Sequence, residues 1–292
     1  MRTLDGGTPA TTITATGAPV VSFAANDYLG LSQHPAVVAA AHEALDRYGA
    51  GAGAARLIVG GRPVHDELED ALAGWKRAEA ALLFSTCYHA NVGVLGALAG
   101  ATTGCVVHSD ELNHASIIDG ARLARADVTV FPHRDLGALD AALDAHRGRP
   151  QLVVSDEVFS MDGDVADVAG LADVCRAHGA LLVLDVAHSA LGTAAPPDSV
   201  VVGTLSKALG SLGGFVAGPR YVVDLCRNAA RSFIFTTATT PADAAAALAA
   251  VRIVCSPEGE ALVAALRERL DLLAPGHPSP VIPVMLGAES AA

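Results

Sequence analysis

The residues that could do chemistry cluster around a single lysine. Lys207 follows an apolar β-branched run, Val200 to Val202, and the turn between them also presents Thr204 and Ser206. Burial beside a strand lowers the pKa of a lysine, because it disfavours the ammonium form. Only the neutral amine attacks an aldehyde, so Lys207 is a candidate for Schiff-base chemistry. The alternative is a surface lysine just past a strand end, which is the more common case for an isolated Ser-Lys pair.

A carboxylate stands at the end of the preceding apolar run. Asp185 follows Leu181 to Leu184, and His188 comes three residues later. A buried carboxylate is costly unless it meets a cation or a hydrogen-bond donor. Pyridoxal 5'-phosphate (PLP) needs this pair, since the lysine forms an imine and the aspartate keeps the ring nitrogen protonated. Asp185 and Lys207 together therefore predict a PLP site.

Other polar segments follow other apolar runs. The segment Ser85–Asn91 leads into an apolar helix, and free N–H groups at a helix N-terminus attract a phosphate. An ordinary N-cap by Ser85 or Thr86 is the alternative. His114 and the polar loop at residues 155–164 follow two further runs, and each could equally be a structural feature.

The segments that must position these residues alternate between strand and helix patterns. Helical spacing separates most of the short apolar runs, and near-continuous apolar strands that alternate with helices predict an α/β domain with a mostly parallel sheet. Such sheets bind ligands outside the carboxyl ends of their strands. The predicted strands are 20–25, 81–84, 105–107, 128–131, 152–154, 181–184 and 200–202, and the predicted helices include 35–48, 65–79, 136–146 and 168–178.

Composition excludes several classes of function. The 292 residues are 51% apolar and 17% charged, and the net charge of −12 argues against a protein that binds nucleic acid through its phosphates. Five scattered cysteines without a C-x-x-C pair predict neither a disulfide framework nor a zinc site, which favours the cytoplasm. No signal peptide or membrane-spanning segment is predicted.

Two motifs resemble a dinucleotide site and a metal site, but their context supports neither. The glycine cluster 49–53 lacks the third glycine of a dinucleotide site and follows a helix, so we expect a loop that approaches a ligand or a partner chain. His65 and Glu69 lie one helical turn apart but have no third ligand nearby, which favours a solvated helix face over a metal site. No metal is predicted.

Six motifs, taken in order, resemble the α-oxoamine synthases, which are PLP enzymes of the aminotransferase-like fold (fold type I). The resemblance covers roughly residues 20 to 250 and implies a mostly parallel sheet with flanking helices and an incomplete small C-terminal domain. It divides the chain into an N-terminal arm and helix (1–45), a PLP-binding large domain (46–245) and the start of a truncated C-terminal domain (246–292). The motifs are 26–31, 56–58, 114–116, 158–164, 185–188 and 203–210.

The resemblance implies catalytic roles for four residues around the cofactor ring. Lys207 would carry the imine, Asp185 would pair with the pyridine nitrogen, and His114 would stack on the ring. His188, together with Ser160, would hydrogen-bond near the phenolic oxygen.

The resemblance also implies a phosphate site and a partner. The backbone amides of Cys87 and Tyr88, together with Thr204, would face the phosphate. Thr236 or Thr237 would reach the phosphate of the other subunit in a homodimer with active sites at the interface.

The implied reaction joins an amino acid to an acyl thioester, with decarboxylation to an aminoketone. Within the family, the motifs most resemble those members that use L-alanine and a pimeloyl thioester, on CoA or a carrier protein, in biotin biosynthesis. Members of the glycine C-acetyltransferase type are the nearest alternative.

Departures from the family pattern leave two other hypotheses open. Val186 stands where glutamate is usual, Cys87 where glycine is usual, and the family's carboxylate-binding arginine would lie beyond residue 292. A PLP-binding chain without turnover is therefore the second hypothesis. The third is a hydrolase, because Thr204-x-x-Lys207 resembles S-x-x-K, although the accompanying S-D-N and K-T-G motifs are absent.

Overall fold

The computed structural model describes residues 4–7, 11–14, 19–189, 196–285 and 287, and these form two sheets. The small sheet is antiparallel with the order β1-β2-β3, and the seven-stranded sheet has the order β4-β10-β9-β8-β7-β5-β6. Only β10 runs against its neighbours in the large sheet. The strands are β1 (Leu4–Gly7), β2 (Thr11–Thr14), β3 (Pro19–Val21), β4 (Ala80–Phe84), β5 (Val106–Asp110), β6 (Asp127–Phe131), β7 (Gln151–Asp156), β8 (Leu181–Asp185), β9 (Val200–Thr204) and β10 (Gly214–Gly218).

Helices flank the large sheet, and their first turns follow the usual chemistry of helix starts. Thr86, Asp135, Asp167 and Thr240 each accept a hydrogen bond from a backbone N–H of the helix that they precede. No helix of the described residues is long and apolar enough to cross a membrane. The helices are α1 (Pro35–Tyr48), α2 (Pro63–Lys76), α3 (Cys87–Leu98), α4 (Ala115–Leu123), α5 (Leu136–Ala145), α6 (Val168–His178), α7 (Arg220–Ala229), α8 (Arg231–Ile234), α9 (Pro241–Val254) and α10 (Pro257–Leu273).

The strands of the large sheet are buried on both faces. In β7, Val153 belongs to one hydrophobic cluster and Val154 to the other, and in β9 the same split separates Val201 from Val202. Alternate side chains of a strand point to opposite faces, so a strand covered on both sides must be apolar throughout. This is why the central strands are near-continuous apolar runs, and it fixes the carboxyl edge as the place where polar residues begin.

The predicted fold class is confirmed, with differences in detail. The six predicted strands from residue 81 to 202 correspond to β4–β9, most of which extend further, while β10 was not predicted. The strand predicted at 20–25 is β3, which ends at Val21. Within the predicted arm, 4–7 and 11–14 are strands, and the rest of residues 1–18 lies outside the described residues.

The C-terminal helices bear on the predicted division of the chain. Helix α9 packs against α1 and α2, and its buried alanines belong to the core on that face of the sheet. The predicted boundary between residues 245 and 246 falls inside this helix. The segment 278–284, which reads as strand-like, forms no strand.

Candidate active site

The register of the parallel sheet brings two carboxylates side by side. Asp156 is the last residue of β7 and Asp185 the last of β8, and the two are directly paired across the strands. Both are almost fully buried. The polar residues that end these strands therefore share one edge of the sheet, as the sequence predicts.

Asp185 is held by donors from two other elements. Its Oδ2 accepts a hydrogen bond of 2.6 Å from Asn91 Nδ2 in α3, and its Oδ1 accepts one of 2.9 Å from the backbone N–H of Ala187. The Cys87 sulfur lies 4.0 Å from Oδ2. Burial raises the pKa of the Cys87 thiol well above its ordinary value, so the thiol stays neutral beside the carboxylate. Neutral donors in fixed positions thus orient Asp185.

Asp156 accepts a backbone hydrogen bond and has a raised pKa. Its Oδ2 accepts a hydrogen bond of 2.8 Å from the backbone N–H of His114. Burial, and after it the neighbouring Asp185 charge, raises the pKa of Asp156 to about 8. The raised pKa means that Asp156 holds a proton at neutral pH, beside the carboxyl group of Asp185.

Lys207 lies across the same space and is bound to His188. Its Nζ is 2.7 Å from His188 Nε2, and His188 Nδ1 is 2.6 Å from the Tyr28 hydroxyl. Burial lowers the pKa of Lys207, although the nearby Asp185 charge opposes this. Burial and the Lys207 charge lower the pKa of His188 to about 4, so the imidazole is neutral at pH 7.

His114 is tied to Asp185 through two intervening side chains. Ser116 Oγ lies 2.7 Å from His114 Nδ1 and accepts a hydrogen bond of 2.8 Å from Asn91 Nδ2. Because Ser116 Oγ accepts from Asn91, its own proton is directed to His114 Nδ1, which also accepts from the Ser116 N–H. The chain Asp185–Asn91–Ser116–His114 therefore fixes the histidine ring at the start of α4.

The N-terminus of α3 offers free donors to an anion. Thr86 caps the helix through the N–H of His89, while the N–H groups of Cys87 and Tyr88 meet no acceptor among the described residues. Gly214 of β10 lets the sheet approach this turn, because a Cβ there would stand 2.5 Å from the Cys87 nitrogen. Such a helix start is suited to a phosphate.

Seven of the ten predicted site residues line one cleft of about 310 Å³ at the carboxyl edge, which we call the strand-end cleft. The other three, Thr204, Thr236 and Thr237, do not line it. Thr204 Oγ1 lies 2.7 Å from Ser206 Oγ and 3.3 Å from the Gly213 carbonyl, so its hydroxyl closes the turn after β9. The cleft is lined by Cys87, Tyr88, His114, Ser116, Asp156, Ser160, Asp185, Ala187, His188 and Lys207.

Thr236 and Thr237 lie beside β4 instead. They line a separate pocket with Arg56, and the Thr237 carbonyl accepts a hydrogen bond of 3.1 Å from Ser85 Oγ. Whether they reach a phosphate of a partner subunit stays a prediction.

The donor set of the strand-end cleft fits PLP. Asp185 is a buried carboxyl group held by neutral donors, which suits a protonated ring nitrogen. The N–H groups of Cys87 and Tyr88 suit a phosphate, and Lys207 is an amine with a lowered pKa. These requirements come from opposite parts of one flat molecule, and the cleft supplies all of them.

A second, mostly apolar cavity of about 540 Å³ adjoins the cleft and shares His188 with it. Helix α10 contributes Val263, Leu266 and Leu270 to its wall, and Glu157 and Arg267 are its charged residues.

Several contributors to the site were not predicted. Asn91, Ser116, Asp156 and Tyr28 lie within segments that the sequence singled out, but no role was assigned to them. Their one available signal is that they belong to segments that follow predicted strands or carry the family motifs.

The predicted solvated face at His65 and Glu69 is wrong. Both are buried, and each has structural partners: His65 bonds to the Arg62 N–H and the Thr239 carbonyl, and Glu69 pairs with Arg56. Buried polar groups need such partners, which the helical spacing alone does not reveal.

Comparison with known proteins adds independent findings. The chain matches the aminotransferase class I and II profile over residues 18–280. It is 49% identical to an 8-amino-7-oxononanoate synthase of Methylobacterium nodulans, over 94% of this chain and 74% of the relative. An 8-amino-7-oxononanoate synthase of Geobacter sulfurreducens is 47% identical over 90% of this chain and 70% of that protein.

Solved structures share the fold of this chain. A serine palmitoyltransferase variant from S. paucimobilis with a bound PLP–myriocin aldimine has a TM-score of 0.83 and 30% identity, over 94% of this chain and 70% of that one. An 8-amino-7-oxononanoate synthase from Francisella tularensis has a TM-score of 0.68 and 25% identity, over 81% of this chain and 70% of that one.

Proposed function

The chain belongs to the aminotransferase class I and II family, as a PLP-dependent acyltransferase of the 8-amino-7-oxononanoate synthase group, and we propose that it condenses L-alanine with a pimeloyl thioester. The product name of the relatives fixes the stoichiometry. A nine-carbon 8-amino-7-oxo acid contains two carbons from decarboxylated alanine and seven from a dicarboxylic acyl group. The acyl donor is therefore a seven-carbon diacid activated at one end, on CoA or a carrier protein.

The observation that supports this proposal is the shared cleft. Asp185 and Lys207 come from neighbouring strand ends and line the same space. When bound, PLP supplies an aldehyde for the lysine and a protonated ring that accepts electrons from the α-carbon of the amino acid. A carboxylate and an amine on separate cavities could not serve one cofactor.

Each residue of the cleft has a task that follows from its contacts. Asp185, oriented by Asn91, holds positive charge at the ring nitrogen. Lys207 binds the cofactor and then, as a free amine, takes the α-proton of the amino acid at Nζ. Neutral His188 exchanges a hydrogen bond with that amine, and it can also turn to the phenolic oxygen beside Ser160.

The remaining predicted residues have roles in binding. The N–H groups of Cys87 and Tyr88 hold the phosphate, and His114, fixed by Ser116, covers one face of the ring. Thr204 supports the phosphate end indirectly, by closing the turn that presents Lys207. The adjoining apolar cavity receives the acyl chain, whose methylenes match its Val263 and Leu266 wall.

We also propose a cytoplasmic homodimer. The turn 56–60 exposes three apolar side chains, Leu57, Ile58 and Val59, and Phe235 is 70% exposed. Thr236 and Thr237 follow directly, so a partner that covers this patch would bring its phosphate site near them. The five cysteines are free thiols, which is consistent with a reducing compartment.

The test supplies the PLP-loaded protein with L-alanine and pimeloyl-CoA and follows release of free CoA with a thiol reagent. We expect CoA release by the wild type and none by Lys207→Ala, whose visible cofactor absorbance is also lost. Glycine with acetyl-CoA tests the nearest alternative reaction. Intact absorbance without release from either pair would reject acyl transfer and favour the cofactor-binding chain without turnover.

A further inference from the structure

A second chain of hydrogen bonds leads from Lys207 to the protein surface. Lys207 Nζ lies 2.7 Å from His188 Nε2, and His188 Nδ1 lies 2.6 Å from the Tyr28 hydroxyl. The Tyr28 hydroxyl in turn donates to Asn26 Oδ1 at 3.2 Å. The first three side chains are half-buried, whereas Asn26 is exposed. Besides the strand-end cleft, which Lys207 and His188 both line, this chain gives the amine a second connection to solvent through Tyr28.

Both internal members of this chain keep neutral forms that can pass a proton. Burial and the Lys207 charge lower the pKa of His188 to about 4, and burial raises the pKa of Tyr28 to about 12. A neutral imidazole has one N–H donor and one acceptor nitrogen, so the bonds at its two nitrogens are coupled.

Two arrangements of protons satisfy the bonds between Lys207, His188 and Tyr28. In one, the Lys207 ammonium donates to Nε2, Nδ1–H donates to the Tyr28 oxygen, and the hydroxyl donates towards Asn26. In the other, the Tyr28 hydroxyl donates to Nδ1, and Nε2–H donates to a neutral Lys207 amine. Each arrangement matches one protonation state of the lysine.

We propose that Tyr28 is a positioning residue that couples the proton on Lys207 to solvent, by setting the tautomer of His188. When Lys207 releases a proton, its N–H bond breaks as Nε2–H forms, Nδ1–H passes to the Tyr28 oxygen, and the former hydroxyl proton leaves to water beside Asn26. Uptake runs the same steps in reverse, so no net charge remains on His188 or Tyr28.

Other titratable groups surround this exchange. Asp185 and Asp156 face Lys207 from β8 and β7, Cys87 faces it from α3, and His114 faces His188 from the start of α4. None of them bonds to the Tyr28 hydroxyl. Replacing that hydroxyl therefore interrupts the chain and leaves these neighbours in place.

The first test uses the apo protein and does not depend on turnover. Ring nitrogens of ¹⁵N-histidine report tautomers by NMR, and the His188 signals are identified by their loss in His188→Gln. We expect Tyr28→Phe, which keeps the ring, to change the tautomer ratio of His188. The matched control Tyr221→Phe removes an exposed hydroxyl from α7 and leaves the ratio unchanged. An unchanged ratio in Tyr28→Phe would overturn the inference.

The second test measures exchange of the L-alanine α-proton in D₂O by the PLP-loaded protein, with no acyl thioester present. We expect Tyr28→Phe to slow this exchange about tenfold, less than the loss of a whole general base. Added imidazole buffer should restore exchange in Tyr28→Phe and have no effect on the wild type, a response that a purely structural role would not give.

The inference rests on the proposed function only in requiring that Lys207 takes up the α-proton, so the two can fail separately. Exchange that is equally fast in the wild type and Tyr28→Phe, or that imidazole does not restore, overturns the inference alone. The expected exchange pattern without CoA release supports the inference and rejects acyl transfer. No exchange by the loaded wild type overturns both.

Discussion

The hydrogen-bond chains at the two ends of the strand-end cleft differ in kind. From Asp185, hydrogen bonds run through Asn91 and Ser116 to His114, and every link has a fixed donor and acceptor. From Lys207, they run through His188 and Tyr28 towards the surface, and each link can reverse. The first chain ends at His114, at the start of α4, and the second at the exposed Asn26.

This difference reflects what each end must do. A carboxylate that compensates a positive ring nitrogen must keep its charge and place, so it needs donors that cannot become acceptors, such as an amide NH₂. An amine that gains and loses protons needs partners that can do both, such as a neutral imidazole and a hydroxyl. The predictions below disturb the fixed chain or Asp156, which is paired with its first member Asp185.

Removing the charge of Asp185 should have the largest effect. Asp185→Asn keeps the side-chain volume but cannot compensate a protonated ring nitrogen, so PLP affinity should fall about a hundredfold. The apo protein should not be destabilised by more than about 1 kcal/mol, because the substitution also removes the electrostatic repulsion between Asp185 and the paired Asp156. Absorbance titration with PLP and thermal melting measure the two effects. A normal PLP affinity would contradict the proposed role of Asp185.

Removing the donor that holds Asp185 should cost stability as well as affinity. Asn91→Ala leaves buried oxygens of Asp185 and Ser116 without their donor, at a cost of about 2 kcal/mol in the free energy of unfolding. Urea denaturation of the apo protein measures this cost. Asn228→Ala, which removes an exposed amide from α7, is the matched control and should change stability little. Equal effects of both variants would mean that the fixed chain adds nothing.

The sequence predicted the residues that line the cleft more completely than the hydrogen-bond chains that hold them. The strand ends could be located because strands buried on both faces read as apolar runs that stop where polar residues begin. Asp185, His188 and Lys207 follow directly from this pattern. β10 was missed because Phe215 to Ala217 is a short run between glycines, close behind the glycine-rich turn.

The two hydrogen-bond chains depend on contacts between residues far apart in the sequence. Asn91 meets Asp185 across 94 residues, and Tyr28 meets His188 across 160. Asn91 also lies in a helix whose pattern is apolar, where a single amide carries no signal of a buried partner. The Thr204 hydroxyl bonds within the turn after β9, and whether it also faces a phosphate stays a prediction.

The pH dependence of stability tests the paired carboxylates. The pKa of Asp156 is raised from 3.8 to about 8, so the folded state binds this proton more tightly than the unfolded state. The resulting stabilisation is fully present below about pH 4 and is lost as the pH rises towards 8. Asp156→Asn removes the titrating group and keeps an acceptor for the His114 N–H.

We therefore expect the apo wild type, relative to Asp156→Asn, to lose up to roughly 1 kcal/mol of unfolding free energy per pH unit between pH 5 and 8. Urea denaturation at three pH values measures this slope. The comparison between variants cancels buried histidines such as His65 and His108, whose lowered pKa values destabilise the fold only as the pH falls below 6.5. Parallel pH curves for the two proteins would show that Asp156 is ionised at neutral pH.

The smallest effect is expected at the inner link of the fixed chain. Ser116→Ala removes the hydroxyl between Asn91 and His114 but leaves the Asn91 bond to Asp185 and the backbone cap of α4. The free energy of unfolding should fall by about 1 kcal/mol, and PLP affinity only a few-fold, because Asp185 keeps its charge and its closest donor. Ser116→Ala could instead weaken PLP binding as much as Asp185→Asn does. The orientation of His114 would then contribute as much to PLP affinity as the Asp185 carboxylate. The two ends of the cleft would differ less than their hydrogen-bond chains indicate.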